Sequence, residues 1–340
     1  MRDISVDVLV TFYNQEQYVD QALESVFAQK GTFGLHVLIG DDGSQDNTLG
    51  KIQTWCEKYP DQIAVYQMSR DPNIKYVSGF RASQNRLNLL KHVSSTYYIF
   101  LDGDDFFCDE NKLQKQIKIL EAPENQDCIA CGHAIDAMDL DGERRPFCRR
   151  EEYFNKYDLK SYWEQIYFHT DTILARNTTI PNIPFDLVEN SYNDNLVTFL
   201  LLQRGKIYYL PDPMAVYLQT GDGIWTEGNK IINNLRNMML FDLTIMINPG
   251  IKTESMIRFT STWRELFSLR DQIDKDKLLP FLEEAEGKNL KFTKLWIRYR
   301  ELTAIQKKEL FSSYCQVICR SYWCSGMRKI KTLKRRWHTF

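Results

Sequence analysis

The sequence lacks the features that would send a chain into or across a membrane. Its most apolar late stretch, 238–247, is interrupted by Asp242 and reaches about half of the roughly 20 residues that a spanning helix needs. Met1-Arg2-Asp3-Ile4 runs straight into a strand-like segment, without the apolar core and small-residue cleavage site of a secretory signal, so export is not expected. A surplus of charge is missing too. Lys and Arg number 43 against 45 Asp and Glu, which gives no general reason to expect a nucleic-acid partner. Eight cysteines are scattered through 340 residues, too long a chain to need stapling, and a reduced, cytoplasmic setting is expected. Cys128 and Cys131 form one C-x-x-C pair with no second pair at zinc-site spacing. Packing is expected of them rather than metal or redox chemistry.

Three nucleotide and metal motifs are absent as well. There is no G-x-x-x-x-G-K-S/T loop, no G-x-G-x-x-G after the first strand and no H-E-x-x-H, so glycine-cradled phosphates and zinc hydrolysis lack support. A nucleotidyltransferase built on a similar sheet would show a glycine-rich basic loop where Phe12-Tyr13-Asn14-Gln15 stands. No internal repeat or low-complexity segment breaks the chain.

What is present is an alternation. Segments 6–12, 35–39, 63–66 and 97–101 are rich in β-branched and aromatic residues and predict short buried strands. Between them the spacing predicts helices: one with Tyr18, Val19, Ala22, Leu23, Val26 and Phe27 on one face and Asn14 as its N-cap, a second over 46–59 and a third over 80–92. Strand, helix, strand at this spacing predicts an α/β fold, a mostly parallel sheet flanked by helices, with ligands outside the carboxyl ends of the strands. Beyond residue 105 the pattern loosens, and 207–210, followed by Pro211, is the last clear strand. From about 230 the pattern is helical. Two regions are expected, a catalytic domain over 1–228 and a helical C-terminal region over 229–340.

Polar residues concentrate at three strand ends: Thr11-Phe12-Tyr13-Asn14, Asp41-Asp42-Gly43-Ser44 and Asp102-Gly103-Asp104-Asp105. In the last, two acids flank a glycine and can converge on a hard divalent cation, Mn²⁺ or Mg²⁺, that keeps open positions for diphosphate oxygens. Taken alone each cluster is also ordinary turn chemistry, with Ser44 or Asp46 capping the next helix. Arg81 and Asn85 on the third predicted helix read equally as surface residues or as groups beside a diphosphate.

Together, in this order and spacing, these segments resemble family 2 glycosyltransferases, inverting enzymes with the GT-A, Rossmann-like fold. The resemblance implies a nucleotide diphosphate sugar as donor and a saccharide or lipid-linked saccharide as acceptor, in cell-surface polysaccharide or glycoconjugate synthesis. It places Thr11, Tyr13, Asn14, Asp41 and Asp42 at the nucleotide, and Asp102 and Asp104, either side of Gly103, on the metal. Asn85 matches the asparagine of the family's a-R-N element, where Gln84 stands for the arginine. Asp194, ahead of a helix that ends in Gly205, matches the catalytic base, with Glu189 in reserve. Tyr217-Leu218-Gln219-Thr220-Gly221-Asp222-Gly223-Ile224-Trp225 resembles the closing loop, but Leu218 and Thr220 replace its arginine and histidine, which makes Asp222 the candidate substitute. The alternative is a nucleotide-sugar-binding protein that has lost transfer. The resemblance covers 4–228 and leaves the acceptor open: Trp163, Tyr167, Phe168, His169, Thr170 and Asp171 read equally as acceptor contacts or as core.

Near the C-terminus Arg328, Lys329, Lys331, Lys334, Arg335 and Arg336 place six positive charges within nine residues. On a helix, Trp323, Met327, Ile330, Leu333 and Trp337 form an apolar stripe beside them. That pattern suits docking on an anionic membrane surface, peripheral at the inner face of the cell membrane, and also suits a terminal helix packed on its own protein.

Overall fold

The computed structural model describes residues 4–147, 155–163, 167–221 and 229–337, with side chains to 320. The chain divides into two compact units, 1–162 with 166–227, and 163–165 with 228–340.

The first unit opens as an alternation: β1 (Ser5–Phe12), α1 (Val19–Phe27), β2 (Gly34–Asp41), α2 (Thr48–Lys58), β3 (Ile63–Gln67), α3 (Ser78–Leu90) and β4 (Tyr97–Asp102). It continues with β5 (Phe106–Phe107), α4 (Lys112–Glu121), β6 (Cys128–Asp139), β7 (Arg144–Phe147) and β8 (Lys156–Tyr157). After α5 (Leu159–Trp163) come β9 (Leu174–Arg176), α6 (Phe185–Val188), α7 (Asp194–Leu202) and β10 (Lys206–Gln219). The strands form one sheet in the order β3-β2-β1-β4-β9-β6-β10-β5, with β7 on β6 and β8 on β10. β3, β2, β1 and β4 are parallel, and β9 lies antiparallel between β4 and β6.

Alternation along β1 explains the layers. Val6, Val8, Val10 and Phe12 enter one core cluster with Val19, Ala22, Leu23 and Val26 of α1 and with Ile52 and Trp55 of α2. The α1 residues fall at the i, i+3, i+4, i+7 spacing of a single helix face. α3 packs against β1 and β2 without entering that cluster, which puts it on the opposite face. The expected α/β sheet with flanking helices is therefore present.

Register sets the site. Thr11 of β1 lies level with Gly40 on one side and Asp102 on the other, so the polar strand ends emerge along one edge. The antiparallel pairing of β9 matches Tyr97 with Arg176 and Tyr98 with Ala175. Just before β9, a short 3-10 turn over Thr170–Thr172 packs against β4.

Several local expectations are corrected. Asn14 does not cap α1, which starts at Val19 behind Tyr18 with no side-chain cap. Asn14 instead sits at φ 51, the left-handed region that asparagine tolerates better than most residues. α2 starts two residues later than expected, because Asp46 accepts from the Thr48 N–H in a local turn that competes with helix. α3 begins and ends two residues early. β10 runs on through Pro211 and Pro213, since register shifts at 210/213 and 213/216 remove the need for a ladder donor there. Cys128 and Cys131 are buried in β6, as packing predicts.

The second unit is helical: α8 (Lys230–Ile247), α9 (Lys252–Arg258), α10 (Thr260–Leu269), α11 (Leu279–Gly287), α12 (Lys291–Ile297) and α13 (Ala304–Trp337). Its centre is aromatic, with Trp263 edge-on to Phe241, Phe292 and Trp296. Asp242 reaches across to accept the N–H groups of Phe292 and Thr293 at the start of α12, filling donors that a helix start leaves open. The side chains of the tail stripe and its basic residues lie outside the described residues. Among the described residues no helix is long and apolar enough to cross a membrane.

Candidate active site

The first corner forms where β1 and β2 end. Asp41 is fully buried, and its carboxylate accepts the N–H groups of Gly43 and Ser44 at 3.0 and 3.1 Å. It shapes the turn, which Gly43 completes at φ +74, a backbone angle that side chains disfavour. Ser44 Oγ accepts from the Asn14 N–H, and Asn14 Oδ1 accepts from the Gln45 N–H. Asn14 thereby ties the two strand ends together.

Asp42, also buried, is the acid that meets side chains rather than the turn backbone. Arg81 Nε donates to its Oδ1 at 2.7 Å, and Arg70 donates both to its other carboxylate oxygen and to its carbonyl. The Arg70 guanidinium lies 3.8 Å from the centroid of the Tyr13 ring, and Arg70 and Arg81 both stack on Tyr76. Cations over ring faces hold each other in place when partly desolvated. Tyr13, 40% exposed, offers a ring face beside Asp42. Asn85 is buried, and its amide donates to the Gly40 carbonyl at 2.9 Å, anchoring α3 to β2.

The second corner forms where β4 ends. Both Asp102 oxygens accept from Arg86 Nη2 at 2.7 Å, and Thr11 Oγ1 donates to one of them at 3.3 Å. Gly103 follows because a Cβ there would come within 2.2 Å of the Phe12 ring. Asp105 is buried and accepts the N–H of Leu218 at 2.8 Å, fixing the end of β10 to this loop. Asp171, in the 3-10 turn Thr170–Thr172, accepts the Asp102 N–H at 3.3 Å.

Asp194 opens α7 behind Asn193, whose side chain accepts from the Asn195 and Leu196 N–H groups. Its Oδ1 accepts from Arg86 Nη1 and Thr170 Oγ1, each at 3.1 Å, and its Oδ2 from the Tyr167 hydroxyl at 2.7 Å. His169 Nε2 stands 4.0 Å away. Tyr167, His169, Thr170 and Asp171 thus surround the acids, whereas Phe168 packs in the core against Tyr157 and Tyr209. Trp163 is buried on α5. Glu189 is exposed beyond α6 and makes none of the contacts that Asp194 makes. Leu218 is core, Thr220 donates its N–H to the Leu218 carbonyl, and Asp222 lies outside the described residues.

Charge is unevenly distributed here. Burial and the neighbouring Asp102 push Asp104 up to about 7. Burial, with Asp102 beside it, pushes Asp171 up to about 6, and burial beside Asp171 drives Asp105 well above the carboxylate range. Asp194 goes the other way: burial would raise it, but His169, Arg86 and the Tyr167 hydroxyl hold it below the ordinary value. Asp105 Oδ2 is buried without a hydrogen-bond partner, and His169 Nδ1 and Asp171 Oδ2 face each other at 3.5 Å. Asp102, Asp105 and His169 each offer a ligand atom, all within 4.8 Å of one another. Oxygen-rich, with more acids than cations among the described residues and an unpaired buried acceptor, this centre fits a hard divalent cation. Arg70, Tyr76 and Arg86 carry no motif of their own and are found only through the structure.

The model of "Glycosyl transferase family 2" matches residues 7–180, just over half of the chain. The chain belongs to this family. It is a glycosyltransferase, and the match spans both strand-end corners. An uncharacterised protein of Mycobacterium tuberculosis is 28% identical over 267 residues, covering 74% of this chain and 71% of that one. Among solved structures, S. aureus TarS 1-349 in complex with UDP-GlcNAc matches over 95% of this chain and 92% of that fragment, with a TM-score of 0.59 at 16% identity. The mannosyltransferase PcManGT from Pyrobaculum calidifontis, in complex with GDP-Man and Mn²⁺, covers 94% and 87%, with a TM-score of 0.50 at 15% identity. At such identities the likeness is one of fold.

Proposed function

We propose that this glycosyltransferase moves one sugar from a nucleoside diphosphate donor to an acceptor hydroxyl with inversion, Asp194 acting as the base. The observation that carries this is the contrast among neighbouring acids. Asp194 is held ionised at the mouth of α7, while Asp104, Asp105 and Asp171 are pushed toward their protonated forms. A base must be free of its proton before it can take one from the acceptor. The acceptor oxygen then attacks the anomeric carbon from the face opposite the leaving diphosphate, and inversion follows.

In this reading the nucleobase lies on the Tyr13 ring with Asp42 at its edge, and Thr11, Asp41 and Asn14 keep that pocket in shape. Asp102 and Asp104 would hold Mn²⁺ or Mg²⁺, with Asp105 and His169 close enough to contribute. When bound, such a cation stabilises charge growing on the departing diphosphate. UDP-GlcNAc in TarS and GDP-Man with Mn²⁺ in PcManGT support a donor of this class. The acceptor is a saccharide or lipid-linked saccharide of a cell-surface polymer, and the basic segment 328–336 would hold the enzyme at an anionic membrane surface in the cytoplasm.

The test is a panel of UDP-, GDP- and other nucleoside diphosphate sugars, with the product's anomeric configuration read by NMR. Inversion is expected. Retention overturns the mechanism, and nucleotide binding without sugar release turns the chain into a binding protein.

A further inference from the structure

α3 delivers two arginines to two different acids. Arg81 reaches Asp42 at the end of β2, Asn85 one turn on fastens the helix to the Gly40 carbonyl, and Arg86 turns to the end of β4. Gln84, where the family resemblance expects the arginine of this element, points elsewhere and donates to Asn190. Arg86 is therefore the cation that α3 supplies to the acid centre.

Its geometry is specific. One guanidinium donates through Nη2 to both oxygens of Asp102 at 2.7 Å and through Nη1 to Asp194 Oδ1 at 3.1 Å, while its carbon lies 5.7 Å from the centroid of the Phe100 ring. Arg86 is 8% exposed. A planar fork with fixed donor directions can set two carboxylates at once, which the point charge of a lysine cannot. Without a cation between them, Asp102 and Asp194 would repel each other at short range in a poorly solvated site.

We infer that Arg86 is a positioning residue for the transfer reaction: it holds the base carboxylate of Asp194 in register with Asp102 on the donor side, and acts through Asp194 rather than on the donor. The inference rests on the reading of Asp194 as the base. Donor side and acceptor side are joined here by one side chain, so the direction from which the acceptor oxygen is deprotonated is set relative to the donor diphosphate. Thr170 and Tyr167 complete the grip on Asp194 from the other side.

The test uses the full chain, with water as acceptor and the nucleoside diphosphate sugar that the parent hydrolyses. Hydrolysis is compared for the parent, Arg86→Lys, Arg86→Met, Asp194→Asn and the Arg86→Met/Asp194→Asn double variant, and the affinity for the matching nucleoside diphosphate with Mn²⁺ is taken by calorimetry. Arg86→Met is expected to lower kcat by about 10²-fold while KM and nucleotide affinity stay within about threefold. Arg86→Lys should recover part of that loss. The double variant should be no slower than Asp194→Asn alone, because residues acting as one unit do not lose rate additively. A kcat near the parent's in Arg86→Met, beside a slow Asp194→Asn, overturns the inference alone. So does a multiplicative loss in the double variant, or an affinity that falls in step with kcat. An Asp194→Asn enzyme that works at the parent rate overturns the assignment of the base itself. If Arg86→Met does not fold, Arg86→Lys decides: a kcat about tenfold down at unchanged affinity is expected, and the parent kcat refutes the role.

Discussion

The two acid-bearing corners of the sheet edge differ in how their charge is balanced. Asp42 sits between Arg70 and Arg81, so one acid answers two guanidinium groups, and both are locked further by Tyr13 and Tyr76. Asp102 sits among Asp104, Asp105, Asp171 and Asp194, and among the described residues Arg86 and His169 are the cations that face it, with Lys112 behind Asp171. The first corner is charge-complete and built in advance, which suits a neutral, flat group read by stacking and hydrogen bonds. In the second the acids outnumber the cations among the described residues, and burial beside other acids pushes Asp104, Asp105 and Asp171 toward their protonated forms. Neighbouring strand ends of one sheet can thus be tuned to opposite tasks by what packs beside them.

The sharpest way to break this contrast is Asp194→Asn. Removing the acid that His169, Arg86 and Tyr167 hold below its ordinary pKa should lower transfer by about 10² to 10⁴-fold and leave nucleotide affinity unchanged, as rates and calorimetry on the same sample would reveal. Transfer near the parent rate would move the base elsewhere in the cluster.

Asp104→Asn comes next. Divalent-dependent nucleotide binding should disappear, while the metal-free protein should melt no lower than the parent at pH 8. The sign follows from Asp104 lying at about 7 in the folded chain, above its ordinary value of 3.8. The folded state keeps the proton longer, so each step in pH from about 4 to 7 lowers stability, and asparagine removes that slope. A lower melting temperature at pH 8, or binding that stays metal-dependent, would count against this placement.

Asp42→Asn should have the mildest effect, because shape and stacking survive. A charge-assisted hydrogen bond is worth about 1.5 to 3 kcal/mol, roughly ten- to a hundredfold in nucleotide affinity. The loss should be the same with and without divalent metal. A metal-dependent loss would merge the two corners into one.

The parallel half of the sheet was legible in the sequence because β1, β2 and β4 are contiguous apolar runs that stop at polar residues, a pattern local in the chain. Asp42 and Asp102 could be singled out for the same reason, each standing at a recognisable strand end, whereas Asp194 came only from the family resemblance. Helix starts were less legible, since the Asn14 side chain ties one strand end to another and Asp46 is spent on a local turn instead of a cap. β10 beyond Pro211 was hidden because a bulge, which leaves no sequence signal, makes room for two prolines. Segment 167–171 stayed ambiguous between core and acceptor site, and its position beside the acids depends on the antiparallel insertion of β9 next to β4. Arg86 was invisible for a further reason: nothing local tells which acid an arginine on a helix will meet across two other elements.

The central claim is that the Asp102 centre is incomplete without a divalent cation. It is tested most directly by titrating UDP and GDP into the protein by calorimetry, once with Mn²⁺ and once with EDTA. The account predicts that at least one nucleotide binds with Mn²⁺ and loses at least tenfold in affinity with EDTA. Equal affinity in the two buffers would contradict it.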